Sequence, residues 1–161
     1  MPIYDYIFSH IEIIAPNEDE HIYVCRKGYH SLNLLAVCDA NMKFIYFVSK
    51  WPGSTHDSYA FENSTLREHF RPNNPRRIDG FLLGDSAYSL SPYMFTPFGE
   101  PSTPAESRYN YAHASSRNVI ERCFGILKGP FRCLHSILHY QPKMVSAIAS
   151  SCACLHNLAR Y

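Results

Sequence analysis

Two acidic residues stand where chemistry is done. Asp85 follows the short apolar run Phe81-Leu82-Leu83-Gly84, and Glu121 lies inside a long helical stretch. A run of that kind reads as a strand buried on both faces, and open α/β sheets gather their ligand sites just beyond the C-terminal ends of such strands. Each acid also has a plainer reading. An Asp after a strand can simply start a turn. Glu121 continues a polar stripe, Asn110, His113, Arg117 and Glu121, which can be a solvated helix face with Arg117 as a surface partner one turn away. If the stripe lines a site instead, His113 and Arg117 are placed to contact substrate phosphate, the arginine bidentately. Asp57, three residues after Ser54, divides in the same way between a helix-capping pair and a ligand. Zinc is the other metal to weigh, because Cys133, His135 and His139 form one cluster and Cys152, Cys154 and His156 another. Neither has the paired C-x-x-C spacing of a structural zinc site.

The elements that must position these residues follow from pattern. Alternation with β-branched and aromatic residues predicts a strand over roughly Ile3 to Ile13, ended by Pro16 and the acidic loop from Asn17 to Glu20. Ser31 to Cys38 reads as a buried strand, Asp39 to Met42 as a turn, and Lys43 to Val48 as the returning strand of a hairpin. After the Trp51-Pro52-Gly53-Ser54 turn, Ser54 is expected to cap a helix over Thr55 to Phe70. Arg71 to Arg77 reads as a charged loop, and a short strand is expected at Tyr93 to Thr96. Thr103 and Glu106 form a capping box with Pro104 at the first helical position, opening a helix that Gly129-Pro130 stops. A last helix from Pro142 to about Ala159 is apolar on most faces and should pack on the core. The order predicts a mixed α/β sheet with an antiparallel start.

Composition narrows the classes. With 161 residues, 46% apolar and 18% charged, the chain can bury one core. A formal net charge of +1 gives no global field toward nucleic acid, so such contact needs a local basic patch, a further region or a partner. No run of about eighteen apolar residues is present, and Met1-Pro2-Ile3-Tyr4-Asp5 lacks the pattern of a signal peptide, so we expect no membrane span and a protein of the nucleus and cytoplasm. The six cysteines have no repeating spacing and read as reduced thiols.

Between Asp85 and Glu121 lie residues 86–120, thirty-five in all, the separation of the last two acids in the DD(35)E signature of transposases and integrases. The surrounding words extend the likeness. Trp51-Pro52-Gly53-Ser54-Thr55-His56-Asp57, Leu83-Gly84-Asp85-Ser86, Tyr93-Met94-Phe95-Thr96-Pro97, Arg108-Tyr109-Asn110 and Asn118-Val119-Ile120-Glu121-Arg122-Cys123-Phe124-Gly125 resemble the Harbinger-type DDE endonuclease domain. So do Arg26-Lys27-Gly28-Tyr29-His30, Phe131-Arg132-Cys133-Leu134 and Leu155-His156-Asn157. The resemblance runs in order over nearly the whole of residues 1–161. It implies a ribonuclease-H-like mixed sheet flanked by helices, and we expect this chain to be an N-terminally truncated form lacking the helix-turn-helix region that precedes the domain.

The resemblance implies four acidic metal ligands, of which Asp57, Asp85 and Glu121 are present, with Asp85 and Glu121 catalytic. The cofactor would be Mg²⁺ or Mn²⁺, the substrate DNA, and the partner a separate Myb-like DNA-binding protein. Where the first strand of the family reads Ile-Asp-Gly-Thr-His-Ile, this sequence reads Tyr6-Ile7-Phe8-Ser9-His10-Ile11, so Ile7 replaces the first aspartate. Two ions about 3.5–4 Å apart normally activate water and stabilise the leaving oxygen of a phosphodiester, and an isoleucine cannot bridge them. Asp5 shares the strand face of Ile7 but is displaced by about 6.6 Å, too far to substitute without a register shift. Two readings follow: a metal-dependent DNA endonuclease impaired at its first acid, or a catalytically inactive fold kept as a protein- or DNA-binding module.

Overall fold

The computed structural model describes residues 3–70, 74, 80–86 and 88–160. Among these the strands are β1 (Ile3–Glu12), β2 (Ser31–Cys38), β3 (Phe44–Pro52), β4 (Phe81–Leu83) and β5 (Met94–Phe95). The helices are α1 (Asp57–Glu62), α2 (Thr65–Glu68), α3 (Pro104–Lys128) and α4 (Pro142–Leu158). The loop expected over Arg71 to Arg77, with Arg71, Arg76 and Arg77, lies outside the described residues apart from Asn74.

One sheet runs in the order β3-β2-β1-β4-β5. The first three strands are antiparallel, and β4 and β5 join parallel to β1. With helices on both faces, this is the ribonuclease-H-like arrangement expected from the sequence. All eight positions of β2 are buried, because strands flank both its edges and cores cover both its faces. Leu32, Leu34, Ala36 and Cys38 join the larger cluster with Ile120, Leu127, Val145 and Ala149 of α3 and α4. Leu35 and Val37 join Tyr6, Phe61, Leu66 and Leu82 on the opposite face.

The hairpin turn forms as expected. Asp39 accepts backbone N–H groups of Asn41 at 2.9 Å and Lys43 at 3.0 Å, and Met42 takes a left-handed φ of 59°. The capping box of α3 is present in full, the Thr103 hydroxyl accepting from Glu106 N–H while the Glu106 carboxylate accepts from Thr103 N–H.

Two expectations are corrected. The helix from Thr55 to Phe70 is two short helices. Ser64 interrupts it, donating its hydroxyl to the Phe61 carbonyl at 2.7 Å and accepting Arg67 N–H at 3.2 Å, so a side chain competes with the helical ladder and caps α2. Ser54 caps nothing: its N–H donates to the Ile22 carbonyl and His56 occupies the cap of α1. α4 packs on the core as expected. It buries Val145, Ala149, Cys152, Ala153 and His156 along one face, while Met144, Leu155 and Leu158 stay exposed. No described helix is long and apolar enough to cross a membrane.

Candidate active site

The register of β1 against β4 decides which residues meet. Ile3 pairs with Phe81, Tyr4 with Leu82 and Asp5 with Leu83, in parallel. The ladder ends there; continued two residues along both chains at the same register, it would bring Ile7 level with Asp85. Ile7 is half-buried and packs against the larger core cluster. Gly84 lets the strand end this way, since a Cβ there would lie 2.7 Å from Met94 Sδ and 3.1 Å from Tyr88 Cδ2. The Asp85 carbonyl accepts Tyr88 N–H at 3.2 Å, so the backbone of Asp85 does begin a turn just past the end of β4.

Asp57 is the first residue of α1, reached through a loop that Gly53 presses onto β2. Any Cβ at Gly53 would overlap Ser31 Oγ and the Tyr23 carbonyl. Burial pushes the Asp57 carboxyl up to about 6, the charge of Asp85 pushes the same way, and Arg26 and His56 oppose both. Tyr88 donates its hydroxyl to Tyr6 Oη at 3.3 Å. Burial above all, with the charges of Asp57 and Asp85, holds both phenols well above their ordinary range. Asp57 and Asp85 thus share one electrostatic neighbourhood with this tyrosine pair.

The α3 stripe divides by position. Its first part grips the chain after β5: Tyr109 donates its hydroxyl to the Thr96 carbonyl at 3.0 Å, and Asn110 bonds both Phe98 N–H and the Phe98 carbonyl at 2.9 Å. His113 is buried, its Nε2–H donating to the Phe95 carbonyl at 3.2 Å, which commits the ring to holding β5. Arg117 is half-buried and its Nε has no partner. Its charge opposes the rise at Asp5 and at Tyr88, placing the guanidinium within reach of both. Among the described residues the ion pairs are His30–Glu20 and Arg67–Glu62, and the Arg117–Glu121 surface pair that the plainer reading allowed is not among them. Glu121 is exposed, and its charge is felt at Asp5.

Asp5 is the residue whose environment sequence reasoning missed. It is 6% exposed on β1, and Oδ1 has no hydrogen-bond partner. Burial raises its carboxyl to about 6 against a backbone hydrogen bond at Ile120 and the charge of Arg117, with Glu121 adding to the rise. The signal was available: Asp5 shares the strand face of Ile7 and Ile11, which is the face under α3.

Half-buried carboxylates that repel one another are a donor set a hard divalent cation would relieve, and Asp57 and Asp85 have that chemistry. Among the described residues no three His, Cys, Asp or Glu side chains converge as a ligand set, so Asp57, Asp85 and Glu121 do not stand together as one. The zinc clusters are spent elsewhere. His156 Nε2–H donates to the Met42 carbonyl at 2.7 Å beneath Phe44, and all six cysteines are free thiols.

Comparison with known proteins identifies the family. The family described as DDE superfamily endonuclease matches residues 8–157. "Putative nuclease HARBI1" of Homo sapiens is 41% identical over 153 residues, covering 93% of this chain and 43% of that protein. The Xenopus laevis protein of the same name is 36% identical over 154 residues, 94% of this chain and 44% of its own length. "Protein ALP1-like" of Arabidopsis thaliana is 24% identical over 143 residues, 80% of this chain and 35% of its own length. The chain therefore spans less than half the length of these relatives. No solved structure matches it.

Proposed function

Because the chain belongs to the DDE superfamily endonucleases, we propose that it is a transposase-derived nuclease domain acting on DNA, with its hydrolytic centre impaired at Ile7. The supporting observation is the parallel ladder of β1 on β4, which pairs Asp5 with Leu83 and, continued two residues, would bring Ile7 level with Asp85. Asp57 and Asp85 would hold Mg²⁺ or Mn²⁺, and Glu121 would have to swing in from its exposed position on α3 to join them. When bound, such ions supply an activated water and stabilise the leaving oxygen of a phosphodiester.

This chain's own side chains set the ground for that chemistry. Burial and the neighbouring charge of Asp85 make Asp57 costly to keep charged without a cation, which favours uptake of one. Arg117, with an unpartnered Nε, is the member of the α3 stripe we assign to substrate phosphate. Asp5 is no replacement ligand in this reading: it pairs with Leu83, two residues short of Asp85. The whole protein would draw on an upstream helix-turn-helix region and a Myb-like partner for DNA binding, and would work in the nucleus after synthesis in the cytoplasm.

The same isoleucine supports a second reading, an inactive fold kept as a protein- or DNA-binding module. Plasmid nicking separates the two. Supercoiled DNA is incubated with Mn²⁺ and the unmodified chain, Ile7→Asp, and Ile7→Asp carrying Asp85→Ala. Our reading expects weak or absent nicking by the first, clear nicking by the second and loss in the third. A folded Ile7→Asp protein that binds Mn²⁺ and still leaves the plasmid intact sinks it in favour of the binding module.

A further inference from the structure

Beside Asp57, three separate segments line a cavity of about 190 Å³. His10 reaches it from β1, Arg26 and Lys27 from the turn before β2, and Thr55, His56 and Asp57 from the loop entering α1. Gly28 turns the first loop with a left-handed φ of 82°, and Gly53 allows the second to lie directly on β2. The concavity is therefore built by two backbone features that few residues other than glycine would permit.

We propose that this pocket binds a backbone phosphate of the DNA strand, so that the strand enters the site past Arg26 and Lys27 before reaching Asp57. The inference rests on the nuclease reading and adds to it the path of the substrate. Arg26 and Lys27 are exposed, and neither is in an ion pair among the described residues. Arg26 Nη2–H donates to His56 Nδ1 at 2.9 Å, which fixes the imidazole with its other nitrogen as the donor. His10 is anchored through Nδ1 to Ser31 Oγ at 3.0 Å. The local field is positive: burial first, then the charges of Lys27 and Lys128, hold the His10 imidazole below its ordinary range. Lys128 itself bonds Ser9 Oγ at 3.3 Å. Asp57 is the one acid among the pocket's lining residues. Lone surface cations on a loop are ordinary solvated charges; here the Arg26-Lys27 pair of one turn faces a concavity to which His10 and His56 bring ring nitrogens from two other segments and which shares Asp57 with the acidic site, an arrangement that recognises an anion.

The test is equilibrium binding of a fluorescein-labelled random-sequence DNA duplex to the full chain in EDTA, followed by anisotropy across salt. Arg26→Ala with Lys27→Ala should weaken binding about tenfold per lost phosphate contact near 50 mM salt and make the log–log salt slope shallower by about two. A control with equal charge loss on the opposite side of the sheet, Lys143→Ala with Arg160→Ala, should bind as the unmodified chain does. Equal losses in both doubles, no loss in the first, or no measurable binding by the unmodified chain would overturn the proposal. So would inorganic phosphate shifting the His10 and His56 resonances with duplex affinity unaffected by the pocket substitutions, since that describes a free-anion site. In the Ile7→Asp background the pocket double should raise KM for nicking and leave kcat unchanged. Loss of duplex affinity without any nicking keeps the pocket and removes the nuclease; nicking with an unchanged KM keeps the nuclease and removes the pocket.

Discussion

Asp5→Asn should stabilise the fold at neutral pH, and the gain should disappear in acid. The Asp5 carboxyl titrates at about 6 in the folded chain against an ordinary 3.8, chiefly because burial disfavours its charge. The folded state therefore holds the proton more tightly than the unfolded state. Below about pH 4 both states are protonated and Asp5 costs nothing; between about pH 4 and 6 the unfolded chain alone ionises and stability falls; above that the loss is constant. Two units at about 1.4 kcal/mol each set a ceiling near 3 kcal/mol. An amide buried in the same place recovers less, because Oδ1 has no partner and a neutral polar atom there still carries a desolvation cost of about 1 kcal/mol. The expected net gain is about 1–2 kcal/mol at pH 8 and none or a small loss at pH 4. Urea unfolding followed through the single tryptophan, Trp51, measures it at each pH in EDTA. Asp57 titrates in the same window, so the difference between variant and parent is the quantity that isolates Asp5. Stability curves that run parallel from pH 4 to 8 would refute the assignment of a cost to this buried acid.

Three further outcomes follow from the geometry. Ile7→Asp should lower stability of the metal-free chain by roughly 1–3 kcal/mol, because a half-buried apolar side chain becomes a carboxylate, and Mn²⁺ should restore the melting temperature in this variant far more than in the parent. Gly53→Ala should cost about 2–3 kcal/mol by urea unfolding, since the added methyl meets Ser31 and the backbone of Tyr23 rather than a yielding side-chain end. Asn157→Ala should cost about 2–3 kcal/mol, because it leaves Phe44 N–H and the Phe44 carbonyl without the two 2.8 Å bonds that now satisfy them; a loss below 0.5 kcal/mol would mean water replaces the amide.

What the sequence disclosed was what local chemistry determines. The continuous apolar run of β2, the Asp39 turn and the Thr103–Glu106 box each depend on residues within a few positions of one another, and each formed as read. The break at Ser64 escaped because a serine in a helical pattern carries two local options, and only the surrounding packing selects the one that bonds Phe61. His113 reads as a free polar residue until β5 is brought against it, eighteen positions away in the chain. Arg26, Lys27, His10 and His56 sit in separate words of the sequence, and no spacing rule joins them; the closest signals were the glycines that bend those words together. The substitution at Ile7 was legible through family likeness, but its place two residues past the ladder of β1 on β4 needed the strand register.

The grip of Tyr109, Asn110 and His113 on the chain after β5 turns α3 into a ruler. An α-helix advances about 1.5 Å and rotates about 100° with each residue. Adding or removing a single residue between His113 and Glu121 would swing the glutamate around the helix by more than a quarter turn and away from β1, while every bond at the clamped end stayed intact. A spacing that looks like a pattern of letters is thus an angular tolerance, and length variation in this stretch can be tolerated only in steps close to whole helical turns.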